Sequence, residues 1–118
     1  MTHFIKMILS FPDFISALRA AYQSSTRERM DIAAAQYTAD RRTLDLLWKL
    51  KPSKYSLRCI RGATQLSQSG FAARYGIPEN TLGQWERELR TPPDYVVQLL
   101  AYAVYVDTVT GALDWVQE

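Results

Sequence analysis

Four polar side chains within Glu79–Gln84 set the chemistry open to this chain: Glu79, Asn80, Thr81 and Gln84. Asn80 and Gln84 lie four residues apart, so a helix places them on one face. Each ends in a planar amide that can both donate and accept, the pattern that pairs bidentately with N6 and N7 of adenine. Glu79 can accept from cytosine N4, against repulsion from nearby phosphates, and Thr81 can meet a base or a phosphate. Arg87 and Arg90 follow as cations for flanking phosphates, with Arg74 as a more distant one. The plainer reading makes Asn80 and Gln84 a solvated helix face, pairs Arg87 with Glu86 or Glu88, and leaves Arg74 a surface charge.

Other chemistries find few residues to work with. The sequence holds one histidine, His3, and one cysteine, Cys59. No Cys/His cluster has metal-ligand spacing, and a nucleophile–base pair would have to use His3 near the chain end. Cys59 reads as a small buried hydrophobe rather than a reactive thiol. There is no phosphate-cradling loop. No catalytic residue, metal or cofactor is therefore expected, and the chain is not expected to be an enzyme.

The polar face needs elements to hold it, and Leu66–Pro93 supplies them. Ser67 can accept the free amide hydrogens that open a first helix. Phe71 and Ala72 form its inner face, and Gly76 gives the backbone freedom for a tight turn. Ile77 leads in, and Pro78 suits the first turn of the next helix, where its missing N–H costs little. Leu82 and Trp85 anchor that second helix inward. Ahead of the pair, Ser56–Thr64 reads as a helix with Leu57, Ile60 and Ala63 inward and Arg58 and Arg61 more exposed. After it, Thr91 caps a further helix with Pro92 first and Asp94 third. Tyr95, Val96, Leu99, Leu100, Ala103 and Val104 give that helix a wide apolar stripe, leaving Tyr102, Tyr105 and Val106 for a second contact surface.

The run LSQ, FAARYGIP, TL, QWE and RTPP resembles the helix-turn-helix of the phage-repressor/Cro-like (XRE) family of bacterial transcription regulators. The resemblance extends without a gap from about Ser56 to about Val106, and five patterns fall in register. It implies a lambda-repressor-like bundle whose recognition helix begins near Glu79. It also implies that Gln68 holds a phosphate from the start of the preceding helix. The partners implied are double-stranded DNA and a second copy of the chain. The family pattern places glycine before LSQ and after the WEx triplet, where this sequence has Gln65 and Glu88. Gly70 replaces a glutamate common in the preceding helix, and Gly83 interrupts the recognition helix, where it either permits close approach to the groove or marks relaxed selection.

With 118 residues, 47% of them hydrophobic, the chain fits one ordinary domain or a small domain with an extension. Apolar spacing is helical nearly throughout, so an all-α fold is expected. We divide it into an N-terminal helical region (1–52), a repressor-like helix-turn-helix domain (53–110) and a tail (111–118), with a short hinge near Pro52 and a core that the two parts can share. Thr2–Leu9 reads as a short helix. Pro12 then starts another with Phe14, Ile15, Leu18, Ala21 and Tyr22 inward. Arg27–Tyr37 follows, with Met30, Ile32, Ala33 and Tyr37 as contacts. A break at Thr38-Ala39-Asp40 is preferred to one bent helix over Glu28–Leu50. Leu44, Leu47 and Trp48 face inward beyond it.

The early apolar run Phe4–Phe11 is too short to span a bilayer and lacks a signal-peptide cleavage site, so a cytoplasmic protein is expected. The formal charge of +2 is uneven. Residues 1–55 carry nine Lys/Arg against five Asp/Glu, and residues 56–118 carry five against seven. The basic excess gathers at Arg41, Arg42, Lys49, Lys51, Lys54, Arg58 and Arg61. The reading that follows is a sequence-specific DNA-binding regulator, a repressor acting as a dimer on a palindromic operator, stand-alone or antitoxin-like. The N-terminal helices would stabilise the module, form the dimer or hold a protein partner. The alternative is a protein–protein adaptor that keeps the fold without reading DNA, favoured by the acidic balance of the second half.

Overall fold

Residues 8–50 and 57–113 are described by the computed structural model. They form seven α-helices and no strand: α1 Phe11–Tyr22, α2 Arg27–Ala34, α3 Arg41–Leu50, α4 Leu57–Thr64, α5 Gln68–Tyr75, α6 Glu79–Glu86 and α7 Asp94–Val109. The fold is an all-α bundle, as the helical spacing of apolar residues requires. Among these residues no helix is long and apolar enough to cross a membrane.

Short polar side chains start the first three helices. Ser10 Oγ accepts from the Asp13 N–H at 3.3 Å, and Thr26 Oγ1 from the Arg29 N–H at 3.1 Å. Asp40 Oδ2 takes both the Thr43 N–H (2.9 Å) and the Thr43 hydroxyl (2.7 Å), which opens α3 after a real break at 38–40. Arg27 ties α2 to α3 through Asp31 and Asp45, at 3.1 and 2.6 Å. Phe14, Ile15, Leu18 and Ala21 are buried as the spacing of α1 predicts, with Ala17 among them.

Two features of α2 differ from expectation. It ends at Ala34 rather than Tyr37, and Ile32 is 71% exposed. Met30 and Ala34, four apart, define its inner face. Ile32 stands two residues from each and so lies on the far side.

The expected helix over Thr2–Leu9 falls mostly on residues 1–7, outside those described; Ile8 and Leu9 are not helical. Leu9 is instead held by two tyrosines of α7. Its N–H donates to the Tyr105 hydroxyl at 2.7 Å, and the Tyr102 hydroxyl donates to its carbonyl at 2.7 Å.

Helix α7 departs furthest from the sequence reading. Thr91 does not cap it; Pro93 occupies the N-cap position with no side-chain bond, and Asp94 is the first helical residue. The residue before a proline avoids helical geometry, so Pro92 cannot begin the helix while Pro93 follows. The buried residues are Val97, Ala101, Val104, Tyr105 and Val109, whereas Tyr95 and Leu99 are 65% and 52% exposed. This helix is apolar nearly all round, so periodicity alone could not choose its inner face.

The surface expected at Tyr102, Tyr105 and Val106 is covered by the chain itself. Tyr105 is fully buried and stacks on Phe14 (centroids 4.8 Å, planes 22° apart). Tyr102 receives Phe11 and Phe14 edge-on at 5.4 and 5.5 Å. At the other end of α7, Arg42 Nη1 donates to the Thr108 and Val109 carbonyls at 3.3 and 3.4 Å. A cation there also meets the negative end of the helix dipole. The hinge at Pro52 lies outside the described residues. Phe14, Leu18, Leu47 and Leu50 from before it share one cluster with Ile60, Phe71, Leu82 and Val104 from after it. Beyond α7 the chain turns at Gly111 (φ 76°), and Leu113 is buried against the bundle rather than part of a free tail.

Candidate nucleic-acid interface

Helices α5 and α6 pack around a tight turn. Ser67 Oγ accepts from the Gly70 N–H at 3.0 Å and opens α5. Gly76, at φ 70°, closes it in the left-handed region, and the Ile77 N–H reaches back to the Ala72 carbonyl at 2.9 Å. Pro78 is the N-cap of α6, one residue earlier than its expected place in the first turn. Phe71 and Leu82 are fully buried and Trp85 packs half-buried against the core, which fixes the rotation of both helices.

That rotation leaves an open groove of about 480 Å³ lined by Gln68, Glu79, Asn80, Gly83 and Arg87. Glu79, Asn80 and Arg87 are exposed, and Gln68 is half-buried. Gln68, Glu79, Asn80 and Arg87 were all candidates from the sequence. Thr81 and Gln84 are half-buried and lie outside the lining; Arg90 is exposed beyond α6. Arg87 Nε donates to the Gly83 carbonyl at 3.2 Å, which folds its guanidinium back along the helix.

Glu86 holds the arrangement together. Its side chain is 2% exposed and takes a two-point pairing from Arg61 of α4, Nε to Oε2 at 2.8 Å and Nη2 to Oε1 at 2.9 Å. Gln68 Nε2 adds a longer bond to Oε1 at 3.3 Å, and Arg61 Nη1 donates to the Leu66 carbonyl at 3.2 Å. The Arg61–Glu86 pair thereby joins α4, the α4–α5 connection, α5 and α6. The Arg61 bonds hold the Glu86 carboxyl below the usual glutamate range despite its burial, with Gln68 and Arg58 adding to the effect. The sequence reading left Arg61 exposed and treated Glu86 as a surface partner for Arg87. The missed signal was spacing: Glu86 stands four residues after Leu82 and so shares its buried face, where an acid needs a cation.

Arg74 is also engaged. It pairs with Asp107 of α7, Nη2 to Oδ2 at 3.1 Å, so its charge is already met within the fold instead of standing ready for a phosphate. Tyr75 donates to the same oxygen at 2.8 Å; burial and that bond push its pKa up. Of the arginines after residue 56, Arg58, Arg87 and Arg90 are exposed with no ion pair among the described residues. Cys59, read as buried, is half-buried, and its thiol donates to the Lys49 carbonyl at 3.0 Å.

The two positions where the resembling family carries glycine keep the geometry glycine would give. Gln65 and Glu88 are the non-glycine residues at positive φ among those described, at 63° and 61°. Gln65 ends α4, and Glu88 lies just after α6 with its N–H on the Trp85 carbonyl at 3.1 Å. Compared with protein-family models, curated proteins and solved structures, the chain matches none.

Proposed function

We propose that this chain is a sequence-specific DNA-binding regulator of the phage-repressor/Cro-like kind, a cytoplasmic repressor acting as a dimer on a palindromic operator. One observation carries the reading: Gln68, Glu79, Asn80 and Arg87 converge on a single open groove beside α6. A recognition helix reads base edges from its N-terminal residues while neighbouring groups hold phosphates. Glu79, Asn80, Thr81 and Gln84 take the first role. Gln68, Arg87 and Arg90 take the second, with Arg58 available beside them.

Selection of bound duplexes from a random pool, followed by anisotropy over a salt series, tests it. A palindrome with half-site centres roughly 34 Å apart is expected, with affinity falling steeply as salt rises. Replacing Gln84 by Ala costs about 1–3 kcal/mol and relaxes preference at one base position, whereas Arg87→Ala weakens all sequences alike. Equal affinity for random and selected duplexes sinks the proposal.

The adaptor reading keeps support of its own. Arg61 and Arg74 are spent on Glu86 and Asp107, which leaves few cations beside the groove. Ile32 of α2 is also a large apolar side chain in water. A stoichiometric protein partner in a pull-down, with no sequence selected from the pool, decides for the adaptor.

A further inference from the structure

Two of the most exposed large apolar side chains among the described residues stand together. Tyr95 is 65% exposed and Leu99 52%, and they lie one turn apart on α7. Val96 and Ala103, both half-buried, extend the same face, and none of the four belongs to the core cluster. Between Asp94 and Asp107 the helix carries no charge, and the charge of Asp107 is met by Arg74. A helix that is apolar all round ordinarily has something packed on every side. Here α1, α3 and α4 fill the inner side, and the outer side meets water.

The chemistry of this face selects its occupant. An isologous contact sets a surface against its own copy, so any charge near the two-fold axis meets a like charge. A face without charge escapes that penalty. To a different, charged partner it offers nothing to pair with, and charge pairing is how such partners are chosen. Leu99, between Tyr95 and Ala103, marks the centre.

We propose that the outer face of α7, centred on Leu99, is where two copies of this chain pair. The inference rests on the dimer in the DNA-binding reading above and names the surface that forms it. Four side chains fall short of the roughly 800 Å² per partner of a standard interface. The pair is therefore weak in free solution and firm once a palindrome holds both copies together. It also reaches the reading helices. Arg74 and Tyr75 of α5 hold the Asp107 carboxylate of α7 at 3.1 and 2.8 Å, and α5 packs on α6. Pairing through α7 thereby sets the separation of the two copies of α6.

The test is sedimentation velocity of wild type, Leu99→Glu, Tyr95→Glu and Ile32→Glu over a concentration series, with thermal melts at the lowest concentration. Wild type passes from monomer to dimer over about 1–100 μM, the weak range that a small interface gives. Leu99→Glu and Tyr95→Glu each raise the dissociation constant at least about tenfold, because like charges then face each other across the pair. Ile32→Glu puts the same acid on an exposed apolar position of α2 and dimerises as wild type does. All three melt within about 2 °C of wild type, as exposed substitutions do. Tyr95→Glu decides if Leu99→Glu unfolds, since an acid in the first turn of α7 suits the helix dipole. A wild type that stays monomeric throughout overturns the inference. So does a dimer that survives Tyr95→Glu, or one lost equally in Ile32→Glu. A palindrome bound equally well and cooperatively by wild type and Tyr95→Glu leaves the DNA-binding reading standing and overturns this one. A dimer broken by Tyr95→Glu in a chain that selects no duplex does the reverse.

Discussion

Glu86 shows how a single residue can hold a site without touching what the site binds. A carboxylate that is 2% exposed survives in the core only because Arg61 supplies two charge-assisted bonds. Glu86→Gln leaves Arg61 without its charge partner. Since the arginine side chain is 23% exposed and can turn to water, the loss is about 2–3 kcal/mol, below the range for a fully buried pair. The pH dependence has a definite sign. The folded carboxyl titrates below its ordinary value of about 4.5, so the unfolded chain binds the proton first as pH falls. The stabilisation is fully present above that value and disappears as pH drops through the lower folded value. Urea titrations at pH 7 and pH 3 check this: the gap between wild type and Glu86→Gln is large at pH 7 and shrinks at pH 3. An equal gap at both would show that burial alone, not the charge pair, sets the cost. Gln65 and Glu88 carry a different residue-scale cost. A side chain at positive φ crowds its own carbonyl, by about 1–2 kcal/mol. Gln65→Gly and Glu88→Gly each therefore stabilise by about 0.5–1 kcal/mol after glycine's greater unfolded-state freedom is counted. Chemical denaturation of each variant measures it, and a loss of stability in either would mean that its side chain holds the turn. The sequence marked both positions through the family pattern, but it could not show that the backbone keeps the glycine conformation with another residue in place.

At the scale of the element, what was legible was local. Ser67 was read as a helix opener, and it makes the bond that a short polar side chain can make three residues ahead, as do Ser10, Thr26 and Asp40. The turn at Gly76 and the inward Phe71, Leu82 and Trp85 were readable for the same reason: position and partner lie within a few residues. The start of α7 was misread because a Thr-Pro-Pro-Asp run satisfies the opening pattern at two registers, and only the rule for residues before proline separates them. Its inner face was misread because what covers it, Phe11 and Phe14, comes from about ninety residues earlier in the chain. A pair of substitutions separates the two opening registers. Asp40→Ala removes the acceptor for both the Thr43 N–H and hydroxyl and costs about 1–2 kcal/mol. Thr91→Ala removes no cap and stays within about 0.5 kcal/mol of wild type. Thermal melts of both variants are sufficient. A Thr91→Ala loss as large as that of Asp40→Ala would restore the earlier start for α7.

For the molecule as a whole, the N-terminal helices are part of the fold that presents the groove. Helix α7 supports α4 and pairs with α5 through Arg74 and Asp107, and its Tyr102 and Tyr105 are roofed by Phe11, Phe14 and the Leu9 backbone. A chain cut to residues 53–118 therefore loses more than an appendage. Tyr105, now fully buried, would face water along with the apolar side chains beside it, and each large side chain left uncovered forfeits about 1.5–3 kcal/mol. Several such losses equal a domain's entire stability of about 5–15 kcal/mol. The fragment is expected to show no cooperative thermal transition by circular dichroism, even though it contains the complete stretch that resembles a known DNA-binding module. Point variants locate the cause within the full chain. Phe14→Ala removes the ring stacked on Tyr105 and costs about 3–5 kcal/mol. Tyr105→Phe keeps the stack but strands the Leu9 N–H, at about 1–2 kcal/mol. A fragment that melts cooperatively near the temperature of the full chain would make residues 53–118 self-sufficient. The burial of α1 on α7 would then be an accessory contact, free to open for a partner.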